Sequence, residues 1–438
     1  MGNRSKKIKI AYFGLCFDVY TKSFVTNLKQ QIPGLEIHYF NYTGQQETFD
    51  RNPVYFDAVV ELPTPLLSKG MPNVPKAIIS SIIIICYFFN IDLIYLTFCL
   101  LRGTVTLKQY KEYVGSFVND VYRYRFLKNK LKDYDIVHLN GVYHTYCSFL
   151  SKLPQGKKLI CSFWGSDLWW NSGLINYMQL QRILNRADTI TVFTEEMKDL
   201  FITKFGRNYA EKTRVMLFGM NEEIRDFIMS HDKGQAKISF CDRYNIKATD
   251  LLVCISNNAA RHRIQHDYLI ELIMENVPKH ITDQIVFVIP FGYGSLNKEE
   301  DLNIITATLL KYKCQYVFIT KYLELYEVAE MRNAVDIYIQ TPLTDSFSMA
   351  LLESILAKNI CITGSWLPYR TIKINNVRLF EVNAIDEVPA TMTRIIEDIN
   401  NVINEIRFNA VNVAPIAFWD FTILEWARLV NDLVTTDN

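Results

Sequence analysis

Two carboxylates eight positions apart, Asp345 and Glu353, stand in the run Thr344-Asp345-Ser346-Phe347-Ser348-Met349-Ala350-Leu351-Leu352-Glu353-Ser354-Ile355-Leu356-Ala357. The first lies in polar text and the second inside an apolar run of helical character. A helix beginning there leaves first-turn N–H groups, from Phe347 to Ala350, without intrahelical acceptors, and such groups bind an anion such as a diphosphate. Helix side chains tilt toward the N-terminus, so Glu353 is aimed back at that anion and can accept hydrogen bonds from ribose hydroxyls. Upstream, Asp336-Ile337-Tyr338-Ile339-Gln340 predicts a strand; downstream, Asn359 stops the helix and Ile360-Cys361-Ile362-Thr363 predicts the next strand. Strand, loop and helix start together make a ligand site in open α/β sheets. The competing reading is an amphipathic helix whose solvated face carries Glu353, Ser354 and Lys358.

Ligands in such sheets collect at the carboxyl ends of strands, so each predicted strand end is a candidate position. The strand at 158–163 runs into Trp164-Gly165-Ser166-Asp167-Leu168-Trp169-Trp170. Asp167 can hold a sugar hydroxyl there, and the three Trp rings can stack on a sugar or lipid face. Trp169 and Trp170 read equally well as core. After the strand at 251–255 come Arg261 and Arg263, whose planar forks match phosphate oxygens. After 285–289 comes Pro290-Phe291-Gly292-Tyr293-Gly294. Its glycines permit close backbone approach to a ligand and Tyr293 can stack on a base; the same text also reads as ordinary turn punctuation. Lys321, after 316–319, is a further phosphate contact. The strand at 135–139 ends in Asn140-Gly141-Val142-Tyr143-His144, on the acceptor side, with His138 or His144 as a base; a lone His is more often structural. Asp133-Tyr134-Asp135 has the spacing of an Asp-x-Asp metal pair but lies at the start of its strand, the wrong end for a site. No metal or cofactor is expected, because the arginines and a helix N-terminus can carry a diphosphate's charge.

The 345–353 run resembles the acidic-x7-Glu signature of GT-B glycosyltransferases, above all the retaining enzymes of glycosyltransferase family 4. Their motif usually reads Glu-Gly-Phe-Gly and then, about three residues on, Glu. Here Asp345 has a shorter reach than Glu, and Ser346 and Ser348 narrow the space that glycines would leave. The resemblance gives the first acid the transferred sugar's hydroxyls and the second the ribose. Trp164-Gly165-Ser166-Asp167 is similar to the family's His-Gly-Ser-Asp, with Trp164 in place of a His that contacts the donor. Arg261 and Arg263 stand where the family has an Arg and a Lys on the diphosphate. The Asn-rich text before His266, and the 290–294 turn, are similar to fucosamine transferases that act on a lipid-linked sugar. The resemblance thus implies a catalytic set of Asp167, Asp345 and Arg263. Its donor set is Glu353, Arg261, Arg263, Ser346, Phe347, Ser348, Tyr293 and Lys321; the acceptor side is Trp164, Asn140 and His144. It also implies an α/β GT-B fold: two Rossmann-like domains whose parallel sheets face a cleft.

The elements that would position these residues are legible. Short apolar runs at 8–13, near 35–41, near 57–61, and at 135–139, 158–163, 188–193 and 213–217 alternate with helical patterns, the rhythm of a parallel sheet with crossover helices. Phe218-Gly219-Met220-Asn221 breaks it, and it restarts at 251–255, 285–289, 316–319, 336–340 and 360–363. This predicts an acceptor-binding domain over 1–217 and a donor-binding domain over 218–414, with a C-terminal helix in 415–438 packing back on the first. A chain of 438 residues, 49% apolar and 21% charged, is long enough for two such domains. Nine scattered cysteines, without a Cys-x-x-Cys pair, fit a reducing cytosol. The N-terminal text has no apolar signal-peptide core, so a cytoplasmic location is expected.

Net charge splits unevenly: residues 1–217 hold 27 Lys and Arg against 17 Asp and Glu, hence +10, and 218–438 hold 20 against 29, hence −9. No nucleic-acid recognition motif accompanies the basic half, so nucleic acid is not expected as a partner. Residues 77–101 are nearly continuous hydrocarbon, but Asn90 and Asp92 interrupt them. A charge at mid-bilayer costs roughly 3 kcal/mol or more, so two shorter elements fit better than one span. From Arg102 to Lys132 there are eight basic residues against Glu112 and Asp120. Two readings stand for 77–132: peripheral contact with an anionic membrane, or a buried helix followed by a solvated basic one. The expected partners are a nucleotide-sugar donor and a glycan or lipid-linked acceptor. The substitutions at 164, 345 and 346 leave open an inactive GT-B subunit supporting a partner enzyme. A phosphorylase or epimerase on the same fold is the other rival.

Overall fold

Four aspartates, Asp57, Asp135, Asp188 and Asp336, each stand immediately before a strand. In the computed structural model, which describes residues 7–14, 18–41, 55–62, 91–142, 150–154, 156–169 and 173–435, all four do the same work. Their carboxylates accept the N–H groups of Ile37, Lys9, Leu159 and Leu252, at 2.7 to 2.9 Å. The same aspartates donate their own N–H back to those residues' carbonyls. Each pair closes the amino edge of a parallel sheet, where strand-start N–H groups otherwise lack acceptors. Asp135 is therefore a sheet brace.

The strands they open build two all-parallel sheets. The first has the order β3-β2-β1-β4-β5-β6-β7, with β1 Lys9–Gly14, β2 Glu36–Asn41, β3 Ala58–Glu61, β4 Ile136–Asn140, β5 Lys158–Ser162, β6 Thr189–Val192 and β7 Thr213–Val215. The second has the order β10-β9-β8-β11-β12-β13, with β8 Leu251–Ile255, β9 Ile285–Pro290, β10 Gln315–Ile319, β11 Ile337–Gln340, β12 Ile360–Gly364 and β13 Phe380–Val382. Strands β4, β6, β9, β11 and β12 are buried along their whole length, as parallel strands covered on both faces must be. The α/β architecture and all twelve expected strands are present. β13 is an addition to them; three residues with exposed Glu381 at the centre carry no readable period.

The chain folds as two compact units. One comprises Met1–Val192, Lys198–Val215 and Trp426–Asn438; the other comprises Phe193–Met197 and Met216–Glu425. The helix Trp419–Thr435 thus belongs to both. Trp426 packs in the first unit on Phe24 and His138, with ring centroids 5.1 and 5.6 Å away. Trp419 packs in the second on Phe218, 5.7 Å away.

His138 is buried, and its Nε2 lies 2.8 Å from Ser162 Oγ. It is a core residue, which corrects its candidacy as a base. Burial pulls its imidazole down to about 3 and that of the fully buried His266 to about 4. Both stay neutral in the fold while the unfolded chain takes up protons near pH 6.5, so stability falls as pH drops below 6.5. At pH 5 each costs about 2 kcal/mol. Asp167, pushed up to about 6 by burial, acts in the opposite direction in any variant that retains it. The prediction is therefore differential: denaturant unfolding at pH 7 and pH 5 should show His266→Asn losing about 2 kcal/mol less than wild type.

Candidate functional site

In each sheet the strand order reverses once, between β1 and β4 and between β8 and β11. Chains leaving the two strands there part in opposite directions and open a crevice at their carboxyl ends. The residues at these two points are Gly14 and Asn140 in the first unit, and Ser256 and Gln340 in the second.

In the second unit Gln340 is the hub. Its Oε1 accepts from Ser256 Oγ at 3.2 Å and from Tyr338 Oη at 3.0 Å. Its Nε2 donates to Asp345 Oδ2 at 3.0 Å and lies 3.5 Å from Ser348 Oγ. Asp345 also accepts the Tyr369 hydroxyl and, through Oδ1, the Ser346 N–H at 2.7 Å. The shorter acid is thus held from three sides at the end of β11. Ser348 caps the helix Met349–Leu356, its Oγ accepting the Leu351 N–H at 3.2 Å. That N–H lies just past the Phe347–Ala350 donors expected for an anion. Ser346 is half-buried and Phe347 is buried.

Glu353 is not on a solvated face. Every residue from Ala350 to Leu356 is buried, and Glu353, 4% exposed, meets Arg332 Nε at 3.1 Å. Arg332, 3% exposed, lies on the helix Leu325–Ala334 with its guanidinium 5.5 Å from the Tyr338 ring centroid. Burial pushes the Glu353 carboxyl up, and Arg332 opposes that shift. Arg332 Nη1 is buried with no hydrogen-bond partner among the described residues. Lys233 sets the spacing of the two helices: its Nζ donates to Val335 O at 2.8 Å, Ala357 O at 3.0 Å and Asn359 Oδ1. These are carbonyls at both helix C-termini, where a cation is favourable. Asn359 Nδ2 in turn holds the Arg332 carbonyl at 2.9 Å.

The two arginines separate. Arg261 is bound to Asp267 through two hydrogen bonds of 3.0 and 2.9 Å, with Asp301 at 3.9 Å, so the site does not hold it in reserve for phosphate. The Arg263 guanidinium makes no hydrogen bond or ion pair among the described residues. Its carbonyl accepts the Leu343 N–H at 3.0 Å, which places it beside the loop that carries Asp345. Lys321, largely exposed, is paired with Glu327 at 2.5 Å. Tyr293 is exposed, and its hydroxyl accepts from Asn257 Nδ2 at 2.9 Å. A Cβ on Gly292 would meet Lys321 O at 2.5 Å. That glycine gives room to protein backbone, in place of the expected ligand.

In the first unit Gly14 has φ +108°, and a Cβ there would fall 1.9 Å from Asn140 O. Only glycine lets β1 end against β4 this closely. Asn140 Nδ2 donates to the Tyr12 hydroxyl, and Asn140 Oδ1 accepts Trp164 Nε1 at 2.7 Å. Two of the three acceptor-side candidates therefore touch; His144 lies outside the described residues. Asp167 is fully buried. Its Oδ1 accepts the N–H groups of Trp164 and Gly165 and its Oδ2 that of Val142, all at 2.8 Å. It ties the loop after β5 to the loop after β4, which corrects its assignment to a sugar hydroxyl. Trp170 lies outside the described residues. Among the described residues no group of three or more His, Cys, Asp or Glu is placed to hold a metal.

Sequence reasoning missed Gln340, Arg332, Tyr369 and Lys233. Gln340 had a signal, a polar residue closing an apolar strand at its carboxyl end; the others act across the fold.

Residues 102–223 match the model of Glycosyltransferase Family 4; no curated protein matches the chain by sequence. Among solved structures, a glycosyltransferase from Rickettsia africae is 12% identical, with TM-score 0.68, over 98% of this chain and 100% of that one. HepE from Anabaena, in complex with UDP and glucose, is 10% identical, with TM-score 0.67, over 97% and 100%. Sucrose-phosphate synthase from Thermosynechococcus elongatus is 12% identical, with TM-score 0.68, over 98% and 100%. The chain has the GT-B fold and resembles, among proteins of that fold, the glycosyltransferases of family 4.

Proposed function

We propose that the protein is a glycosyltransferase that moves a sugar from a nucleoside diphosphate sugar to a glycan or lipid-linked acceptor. The observation that carries this reading is the set Gln340, Asp345, Arg332 and Glu353, gathered where strand order reverses in the second unit. Asp345, fixed by Gln340 and Tyr369, is the group for the transferred sugar's hydroxyls. Glu353 is the group for the ribose. Arg263, with the N–H groups that open the helix Met349–Leu356, is the group for the diphosphate. The complexes of the Anabaena relative with UDP, with UDP and glucose, and with UDP-glucose support this donor class.

In the transfer, the bond between the anomeric carbon and the phosphate oxygen breaks and a bond to the acceptor oxygen forms. The acceptor's proton passes to the departing phosphate oxygen on the same face, so configuration is retained and no enzymic nucleophile is needed. Arg263 stabilises the charge on the leaving diphosphate without a metal. The setting is cell-surface polysaccharide or glycoconjugate synthesis at the cytoplasmic side.

The test is release of nucleoside diphosphate from sugar nucleotides in the presence of glycan and lipid-linked acceptors. Acceptor-dependent release supports the reading; release without acceptor would replace it with a phosphorylase- or epimerase-like one. Arg263→Ala should weaken diphosphate binding by about 10- to 100-fold, the equivalent of one charged hydrogen-bonded contact. Arg261→Ala should change it little, and calorimetric titration of both variants distinguishes them.

A further inference from the structure

We propose that the helix Ile91–Leu101 and the start of the helix Leu107–Lys130 form a docking face for an anionic lipid bilayer. Past Asp92 in its first turn, the first helix is apolar apart from Thr97. Its inner side packs Leu96 and Cys99 with Val105 and Tyr113 in a small core of their own. Its outer side carries Ile94, Tyr95, Phe98 and Leu101, spaced as one helical stripe, and all are exposed, Ile94 at 52% and Leu101 at 81%. Leu107, 56% exposed, follows past the turn. A stripe of this kind costs solvation free energy unless something covers it.

Its surroundings select the occupant. Arg102 lies over the Phe98 ring, 4.2 Å from its centroid, and Lys108 and Lys111 are exposed on the next helix. From Arg102 to Gly115 these three cations are opposed by Glu112 alone. Apolar rings and leucines at acyl depth with cations at phosphate depth are the two layers of an anionic interface. A second copy of the chain would bring the same cations face to face in a two-fold pairing, which is repulsive. No helix among the described residues is long and apolar enough to cross a membrane. The docking face stands whether or not the transferase reading does.

The test is co-sedimentation with vesicles of phosphatidylcholine, with and without about one third phosphatidylglycerol, using wild type, Phe98→Ser/Leu101→Ser and Lys108→Glu/Lys111→Glu. Wild type should pellet with the anionic vesicles only, less so at high salt, and each double variant should bind about tenfold more weakly or worse. The changed residues are exposed, so melting temperatures should match wild type and show that the variants are folded. Wild type left in the supernatant, or variants that bind as well as wild type, would overturn the proposal. So would a dimer of wild type that Phe98→Ser/Leu101→Ser dissolves, since a second copy would then be the occupant.

Discussion

Arg332→Met is expected to lower stability by about 3–5 kcal/mol, because it leaves the Glu353 carboxylate buried without its counter-ion. Both partners are at most 4% exposed and meet at 3.1 Å, so water cannot replace the lost contact. Burial already pushes the Glu353 carboxyl up; without Arg332 nothing opposes that push. The loss should therefore shrink as pH falls, since the folded variant then binds a proton that the unfolded chain binds only at lower pH. Arg332→Met/Glu353→Gln should recover most of the loss, because no charge is left unpaired. The double variant should lose nucleotide affinity, since it presents no carboxylate to a ribose. Equilibrium unfolding in urea of wild type, single and double variants checks this. A single variant within about 1 kcal/mol of wild type would mean that the pair is solvated.

The second large effect is expected at Asp167. Asp167→Ala removes the acceptor of three N–H groups, those of Trp164, Gly165 and Val142. Each buried donor left unsatisfied costs about 1–3 kcal/mol, so about 3 kcal/mol or more should be lost. Asp167→Asn keeps one acceptor oxygen but turns an amide toward the remaining donors, and should fall between. The change should also release the ring of Trp164 from Asn140, because the loop that sets Trp164 is no longer tied to the loop after β4. Tryptophan fluorescence and urea unfolding of the two variants read these effects together. Unchanged stability in Asp167→Ala would return Asp167 to the role of a solvent-facing ligand group.

Much of this is legible in the sequence where the physics is local. Strands buried on both faces read as continuous apolar runs, so β8 and β9 can be read directly. The Asp345–Glu353 spacing and the carboxyl-end rule locate the second unit's site. What the spacing does not show is what each side chain faces. Glu353 reads as ribose ligand or solvated face, and its ion pair depends on Arg332, 21 positions away. Tyr369, which fixes Asp345, is 24 positions on, and Lys233, which holds Asn359, is 126 positions back. Asp167 reads as a polar residue with a task, but burial changes that task from ligand contact to loop brace. The choice between Arg261 and Arg263 rests on Asp267 and Asp301, whose approach to Arg261 is a property of the folded chain.

The central claim is that the second unit binds a nucleoside diphosphate through Glu353 and Arg263. The most direct measurement is the thermal unfolding of wild type and Glu353→Gln with UDP, GDP, TDP, CDP and ADP. One diphosphate should raise the wild-type melting temperature, as binding to the folded state must, and raise that of the variant little. No shift of the wild type with any of the five would contradict that claim, and would favour a GT-B subunit that supports a partner enzyme.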